Sequence, residues 1–408
     1  MSAKIDAARD AAITRAPIFN KALEVVAYEI ILASGPMASV SVTDAGADGA
    51  PRLVVNSGVE VDLAISAGKP VLLNMAAPAL VAGLPPALGP KEVMLMLGAG
   101  VDVSAETVAA VERLVAQGIR IVLEDLATNP QLHQLLRHAH AVKIKVGRTA
   151  TPGVAKQIGL LKTTGVELIA DGVATYDDLR DATRLGVTRF QGPFLGRPDG
   201  FRKSQAPAGQ LAALELITKL QDPDAAISEI ANVIRRDVNL SYRILKVVNS
   251  AHYALSRPLG SIEEAVVVVG TKQIVSWVGA LSMTGLNGKP AELTRSAMIR
   301  ARTCEMLARH LDRHDVQRFY IVGLLSVIEA LLDVPAAQAL GRLPLNAEIV
   351  DAIVSGGGIL GETLRGVVEY EKGNWDRSHI IGIDDQALSD AFHLAMLEVD
   401  KVWAQITG

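Results

Sequence analysis

A chain of 408 residues is too long for one ordinary hydrophobic core and calls for two domains, three at most. Half of its residues are hydrophobic but only 4% are aromatic, so Ala, Val, Leu and Ile carry the apolar load and stacking platforms for nucleic-acid bases are disfavoured. With 40 basic residues against 44 acidic ones, the net charge of −4 leaves no electrostatic footprint for DNA or RNA.

Cys304 is the only cysteine, which rules out a disulfide framework or a thiolate metal site within one chain and fits a reducing compartment. The opening "MSAKIDAARD" is charged and lacks the apolar core of a signal peptide. In the longest uncharged run, Asn74, Pro78, Pro85 and Pro86 interrupt any spanning helix. The expectation is a soluble cytoplasmic protein with no membrane segment.

Residues 15–32, "RAPIFNKALEVVAYEIIL", form an alternating apolar run with Glu29 set deep inside it. A lone carboxylate is costly to bury, so Glu29 calls for a partner or a task. From residue 66 to 192, short strand-like runs alternate with longer amphipathic stretches. The runs are 69–75, 92–97, 119–125, 141–146, 166–171 and 187–192. This is the spacing of βα units, and with "EVVAYEIIL" in front the count approaches that of a TIM-like (β/α) barrel. An open doubly wound sheet is the alternative, but no glycine fingerprint follows the first strand, which argues against a dinucleotide site.

Most of these runs end on a polar residue: Glu29, Asn74, Glu124 with Asp125, Lys143 and Lys145, Asp171, and Gln191. Any one of them could simply mark where solvent begins. Together they predict a site, because parallel barrel strands bring their carboxyl ends to one rim.

After residue 198 the texture changes. "GRPDGFRKSQAPAGQ" (196–210) reads as a linker, and beyond it helical spacing dominates. "LAALELITKLQ" repeats apolar residues at helical intervals. "SIEEAVVVVG" opens with a capping box from Ser261 to Glu264 and closes on Gly270, and Thr271 is expected to cap the next helix. "QRFYIVGLLSVIEALLDVP" is expected to form one long buried helix. "SGGGILGETLRG" (355–366) reads as a connection between helices, since no strand precedes it and no Lys-Ser/Thr pair follows. "VVVVGTKQIVSWVGAL" has too few exposed readers for a DNA-binding helix-turn-helix. The predicted organisation is an α/β barrel over residues 1–198, a linker over 199–210 and an all-α domain over 211–408.

The ordered set "APIFNKALEVVAYEIIL", "LLNMA", "VLED", "VKIK", "IADGVAT" and "QGPFLGRP" resembles the EAL domain, a bacterial barrel that hydrolyses cyclic di-GMP. The segments "LSYRILKVVNSAHYALSRPLGSIEEAVVVVG" and "YIVGLLSVIEALL" resemble the HDOD domain, a helical relative of HD phosphohydrolases. The resemblance implies that Glu29 falls on the signature glutamate that ligates metal. Asn74, Asp125 and Asp171 fall on further ligand positions, Glu124 stands for the first aspartate of a pair, and Lys143 and Gln191 take the family's lysine and glutamine. An active member of the family would use two Mg²⁺ or Mn²⁺ ions to make hydroxide and attack phosphorus in line.

Departures from the family pattern are equally specific. Ala33 replaces a phosphate-gripping arginine, Met96 and Ala99 replace two glutamates of one strand, Lys145 replaces an aspartate and Ala174 a loop glutamate. A thioether is a poor ligand for a hard cation, and Lys145 is expected to enter the barrel mouth and pair with Asp125 or Asp171, with Glu29 held by hydrogen bonds or by Lys145. In the second half the metal-binding "HD" position reads "LLSV" (Leu324 to Val327), and His314–Asp315 reads as a solvated pair at a helix end. The resemblance therefore implies a catalytically inactive signalling adaptor with no resident metal or other cofactor. Its partners would be other signalling proteins, with a homo-oligomer as a further arrangement. Asn249, His252 and Tyr253 are the contact candidates, although Asn249 could equally brace its own loop. An active, Mg²⁺- or Mn²⁺-dependent phosphodiesterase and a non-hydrolysing cyclic di-GMP receptor are the alternatives.

Overall fold

The computed structural model describes residues 12–43, 52–56, 59–85, 88–124, 126–147, 152–200, 226–235, 238–249, 257, 259–284 and 288–407. The chain divides into two compact units. One comprises Met1–Arg197 with Glu369–Arg377, the other Pro198–Val368 with Ser378–Gly408.

The first unit opens with an antiparallel hairpin of β1 (Ile13–Phe19) and β2 (Val25–Leu32). Its turn is built by Asn20, whose Oδ1 accepts from the backbone N–H groups of Ala22 and Glu24 at 2.8 and 3.0 Å, with Leu23 left-handed at φ 59°. A small antiparallel sheet follows, made of β3 (Val40–Thr43), β4 (Arg52–Val55) and β5 (Val59–Asp62). The remaining elements are β6 (Val71–Asn74), α1 (Ala77–Ala82), β7 (Val93–Leu97), α2 (Ala105–Ala116), β8 (Arg120–Glu124), a 3₁₀ segment at Pro130–His138, β9 (Ala141–Lys145), α3 (Pro152–Lys162), β10 (Glu167–Asp171), α4 (Tyr176–Arg184) and β11 (Arg189–Phe190).

Eight strands close into a barrel in the order β1-β11-β10-β9-β8-β7-β6-β2. All neighbours are parallel except β1, which runs antiparallel to both β2 and β11. The barrel matches the expected architecture, with β1 and the three-stranded sheet as additions that the strand pattern did not announce. Capping fixes the helices beside it. Ser104 accepts from Thr107 N–H at the start of α2, and Thr175 with Asp178 forms a reciprocal capping box at α4.

Strand parity decides what fills the barrel. Ala27, Leu72, Met94, Val122, Ala141 and Ile169 pack with Ile18 into one buried apolar cluster. Two residues further along their strands stand Glu29, Asn74, Met96, Glu124, Lys143 and Asp171, on the same inward face one step nearer the carboxyl ends. The apolar plug and the polar mouth are thus consecutive levels of one pattern, with Met96 the member of the second level that packs into the plug.

In the second unit the described residues form α5 (Ile227–Arg235), α6 (Val238–Val248), α7 (Ile262–Val269), α8 (Thr271–Met283), α9 (Ala291–His310), α10 (Val316–Leu325), α11 (Ile328–Leu332), α12 (Ala336–Leu340), α13 (Ala347–Val354), α14 (Gly358–Glu371) and α15 (Asp385–Thr407). Trp277 and Ile274 of α8 bury themselves among Ile230 and Ile234 of α5 and Ile244 and Val248 of α6. Where α9 and α10 cross, a Cβ on Gly323 would lie 2.5 Å from the backbone of Ala301, so the glycine is what lets the two helices approach.

Three local expectations need correction. Ser261 accepts from Glu264 N–H as expected, but the Glu264 carboxylate takes Gly260 N–H instead of completing the box on Ser261. Thr271 is the first residue of α8 and caps nothing; Gly270 holds the cap position at φ 92°. The long apolar stretch is not one helix, because Ser326 and Val327 separate α10 from α11, and the Ser326 hydroxyl donates to Gly323 C=O at 2.7 Å. The "SGGGILGETLRG" stretch does join two helices, α13 and α14. The "LAALELITKLQ" helix and most of the linker lie outside the described residues. No single described helix is long and apolar enough to cross a membrane.

Candidate functional site

The mouth of the barrel centres on Lys143. Its side chain is 5% exposed, and its ammonium donates to Glu29 Oε2 at 2.8 Å while lying 3.2 Å from Glu124 Oε1 and 3.7 Å from Asp171 Oδ2. Gln191 Nε2 donates to the same Glu29 oxygen at 2.8 Å. These contacts follow from the register: Glu124 stands opposite Lys143 across β8 and β9, and Asp171 closes β10 on the other side.

One cation among three carboxylates sets the electrostatics. Burial opposes the charge on Lys143, but Glu29, Asp171 and Glu124 together outweigh it and hold the ammonium's pKa above its ordinary value. Asp171 is shifted upward as well, first by burial and then by Glu29, with Lys143 acting in the opposite direction.

For Lys145, the expected pairing with Asp125 lies outside the described residues. Lys145 stands opposite Asp171 in register but is exposed at the end of β9, and its charge acts on Asp171 only as a minor contribution. The buried counter-ion of Glu29 is Lys143, two residues deeper on the same face. Asp125 lies outside the described residues, as do His252 and Tyr253. Asn249 braces its loop: its amide accepts from Leu259 N–H at 2.7 Å and donates to Leu259 C=O at 3.0 Å. His314 is exposed, and Asp315 accepts from Arg313 at 3.0 Å, which keeps its carboxyl below the usual range.

A pair of divalent cations fits this donor set poorly. Each needs about six oxygen ligands. Here one ammonium engages an oxygen of Glu29, Glu124 and Asp171 alike. Met96 is 1% exposed and packs into the apolar plug, while Ala33, Ala99 and Ala174 offer only methyl groups at the other substituted positions. Among the described residues no group of three or more His, Cys, Asp or Glu is arranged to hold a metal. One observation points the other way: among the described residues, the buried Asn74 Oδ1 finds no hydrogen-bond partner. It and Glu124 Oε2 face the space above Gly98, where a Cβ would lie 4.0 and 3.6 Å from them.

This barrel mouth and the helical unit match known families. The EAL domain model matches residues 95–198 and the HDOD domain model matches residues 207–338. The chain therefore carries an EAL domain followed by an HDOD domain. Glu29 and Asn74 precede the matched EAL stretch, so their membership in the site rests on the barrel register. The uncharacterized protein YuxH of Bacillus subtilis (strain 168) is 27% identical over 380 residues, covering 91% of this chain and 93% of that protein. The cyclic di-GMP phosphodiesterase CdgJ of Vibrio cholerae serotype O1 is 24% identical over 402 residues, covering 96% and 91%. Among solved structures, the EAL enzyme Bd1971 in its cAMP and cyclic-di-GMP bound form aligns with a TM-score of 0.35 at 14% identity, over 47% of this chain and 64% of that one. An EAL domain protein from Listeria monocytogenes EGD-e aligns with a TM-score of 0.33 at 12% identity, over 48% and 92%.

Proposed function

We propose that this EAL–HDOD protein is a catalytically inactive adaptor of cyclic di-GMP signalling that acts through contacts with other signalling proteins. The observation that carries the reading is Met96, buried in the apolar plug at the position where the resemblance implies a ligand glutamate. Lys143 is the lysine that the resemblance assigns to the family's site, so its pairing with Glu29 does not by itself exclude a metal, whereas a thioether is a poor ligand for a hard cation. The loss of carboxylates at Met96, Ala99 and Ala174 removes donors that a metal pair would use. Output is assigned to the helical half, with the barrel as scaffold. The experiment is a calorimetric titration of the full chain with cyclic di-GMP in the presence of Mg²⁺ or Mn²⁺, with product analysis. Silence supports the adaptor, heat without product means a receptor, and heat with linear product means an enzyme.

The second reading is a metal-dependent cyclic di-GMP phosphodiesterase, the activity in the name of the Vibrio relative. The buried Asn74 Oδ1, unpartnered among the described residues, favours it, since an oxygen aimed at the mouth beside Glu124 is what a cation would use.

A further inference from the structure

The helical unit contains a cavity of about 770 Å³ between the start of α8, the middle of α9, the first turn of α10 and the last turns of α15. Its lining combines apolar and charged side chains. Val275, Met298, Val399 and Val402 supply apolar surface. The charged lining carries Lys272, Arg302, Arg309 and Lys401 against two carboxylates, Glu305 and Glu398.

The charged lining is organised around Glu305. This carboxylate, itself 10% exposed, accepts from both Arg302 and Arg309 and lies 3.3 Å from Lys272 Nζ. Arg302 is fixed a second time by Glu398. Lys272 and Arg309 line the cavity and keep 62% and 48% of their side chains exposed. The amino end of α8 lines the same cavity, with no side chain capping it. Its N–H groups add partial positive charge to a lining that is already net cationic.

We infer that this cavity binds a small organic anion, with its phosphate or carboxylate on Lys272 and Arg309 and its apolar body against Val275 and Val402. A lone inorganic ion would leave most of the volume and the apolar surface unused. A molecule with an anionic head and a compact apolar body uses both. Guanidinium and ammonium groups already oriented by a buried carboxylate lose little freedom on binding such a head. The inference is independent of what the barrel mouth does.

The test is calorimetry of the full chain at fixed ionic strength with three probes: phenyl phosphate, benzoate and inorganic phosphate. The expected result is saturable binding of phenyl phosphate or benzoate, whichever head group the site takes, at least tenfold tighter than inorganic phosphate. The double variant Lys272→Gln, Arg309→Gln should weaken that binding at least tenfold. Each single variant, measured with its circular dichroism spectrum, should weaken it severalfold in a folded chain. Absence of saturable binding by both organic probes overturns the inference, as does binding that folded variants leave unchanged or that inorganic phosphate equals.

Discussion

The ammonium of Lys143 donates to Glu29 Oε2 at 2.8 Å inside the barrel, with both side chains almost fully buried. Glu29 and Lys143 are 114 residues apart in sequence and reach each other across the barrel interior, in which β2 and β9 are not neighbours. The pair joins opposite walls, so its loss is felt by the whole barrel.

Lys143→Met should therefore destabilise the protein by about 3–5 kcal/mol, because it leaves Glu29 buried with Gln191 as its hydrogen-bond donor and no compensating charge. Urea denaturation followed by the barrel's circular dichroism measures this. Combining it with Glu29→Gln should cost clearly less than the sum of the two single changes, and additivity would mean that the pair carries no coupling.

Asp171 gives a pH signature. Its folded pKa is raised, chiefly by burial, so the folded state holds the proton more readily than the unfolded chain. Stability from this group is then fully present below the unfolded carboxyl pKa and is lost as pH rises through the folded value. Asp171→Asn should remove that loss, giving a variant that gains on the parent as pH rises from acid toward neutrality. Denaturation midpoints of both proteins across this range check the sign; a gap that narrows with rising pH would contradict it.

Met96 tests whether the site can be rebuilt by one residue. Met96→Leu should cost under about 1.5 kcal/mol, as a volume-conserving swap in an apolar cluster. Met96→Glu should cost more than that without metal, since Lys143 is already shared among three carboxylates. Thermal unfolding with and without Mn²⁺ compares them, and a Glu variant as stable as the Leu variant would show that the mouth tolerates another charge.

Two glycines of the helical unit should respond with opposite signs. Gly323→Ala forces a Cβ into the Ala301 backbone and should cost about 1–3 kcal/mol. Gly279→Ala, inside α8, meets only Leu324 Cδ2 at 3.7 Å and should stabilise by up to about 1 kcal/mol. Thermal melts of the two variants decide the matter directly.

The barrel was legible because its strands are apolar runs punctuated by polar residues at or near their carboxyl ends, and that punctuation survives in the sequence. β1 was not separated from β2, since Arg15 and Pro17 break its apolar pattern and the Asn20 turn contains no glycine. The strands β3 to β5 are four residues each, too short to show a period. In the site, parity correctly grouped Lys143 and Lys145 on one face, but parity is blind to depth. The deeper lysine meets Glu29 and the outer one stands exposed at the end of β9. Ser326 ended a helix that composition would have continued, because its hydroxyl found a backbone carbonyl. In the helical cavity, Arg302, Glu305 and Arg309 carried a visible signal at helical spacing, but a charged stripe does not announce that it borders a cavity.

The central claim is that the barrel mouth, with Met96, Ala99 and Ala174 standing where the resemblance implies carboxylates, does not catalyse phosphodiester hydrolysis. The most direct measurement is incubation of the purified full chain with cyclic di-GMP and either Mg²⁺ or Mn²⁺, with chromatographic separation of cyclic and linear dinucleotides over time. The account predicts that the cyclic form persists unchanged with both metals. Linear product that accumulates with the wild-type chain and disappears in Glu29→Ala would contradict it.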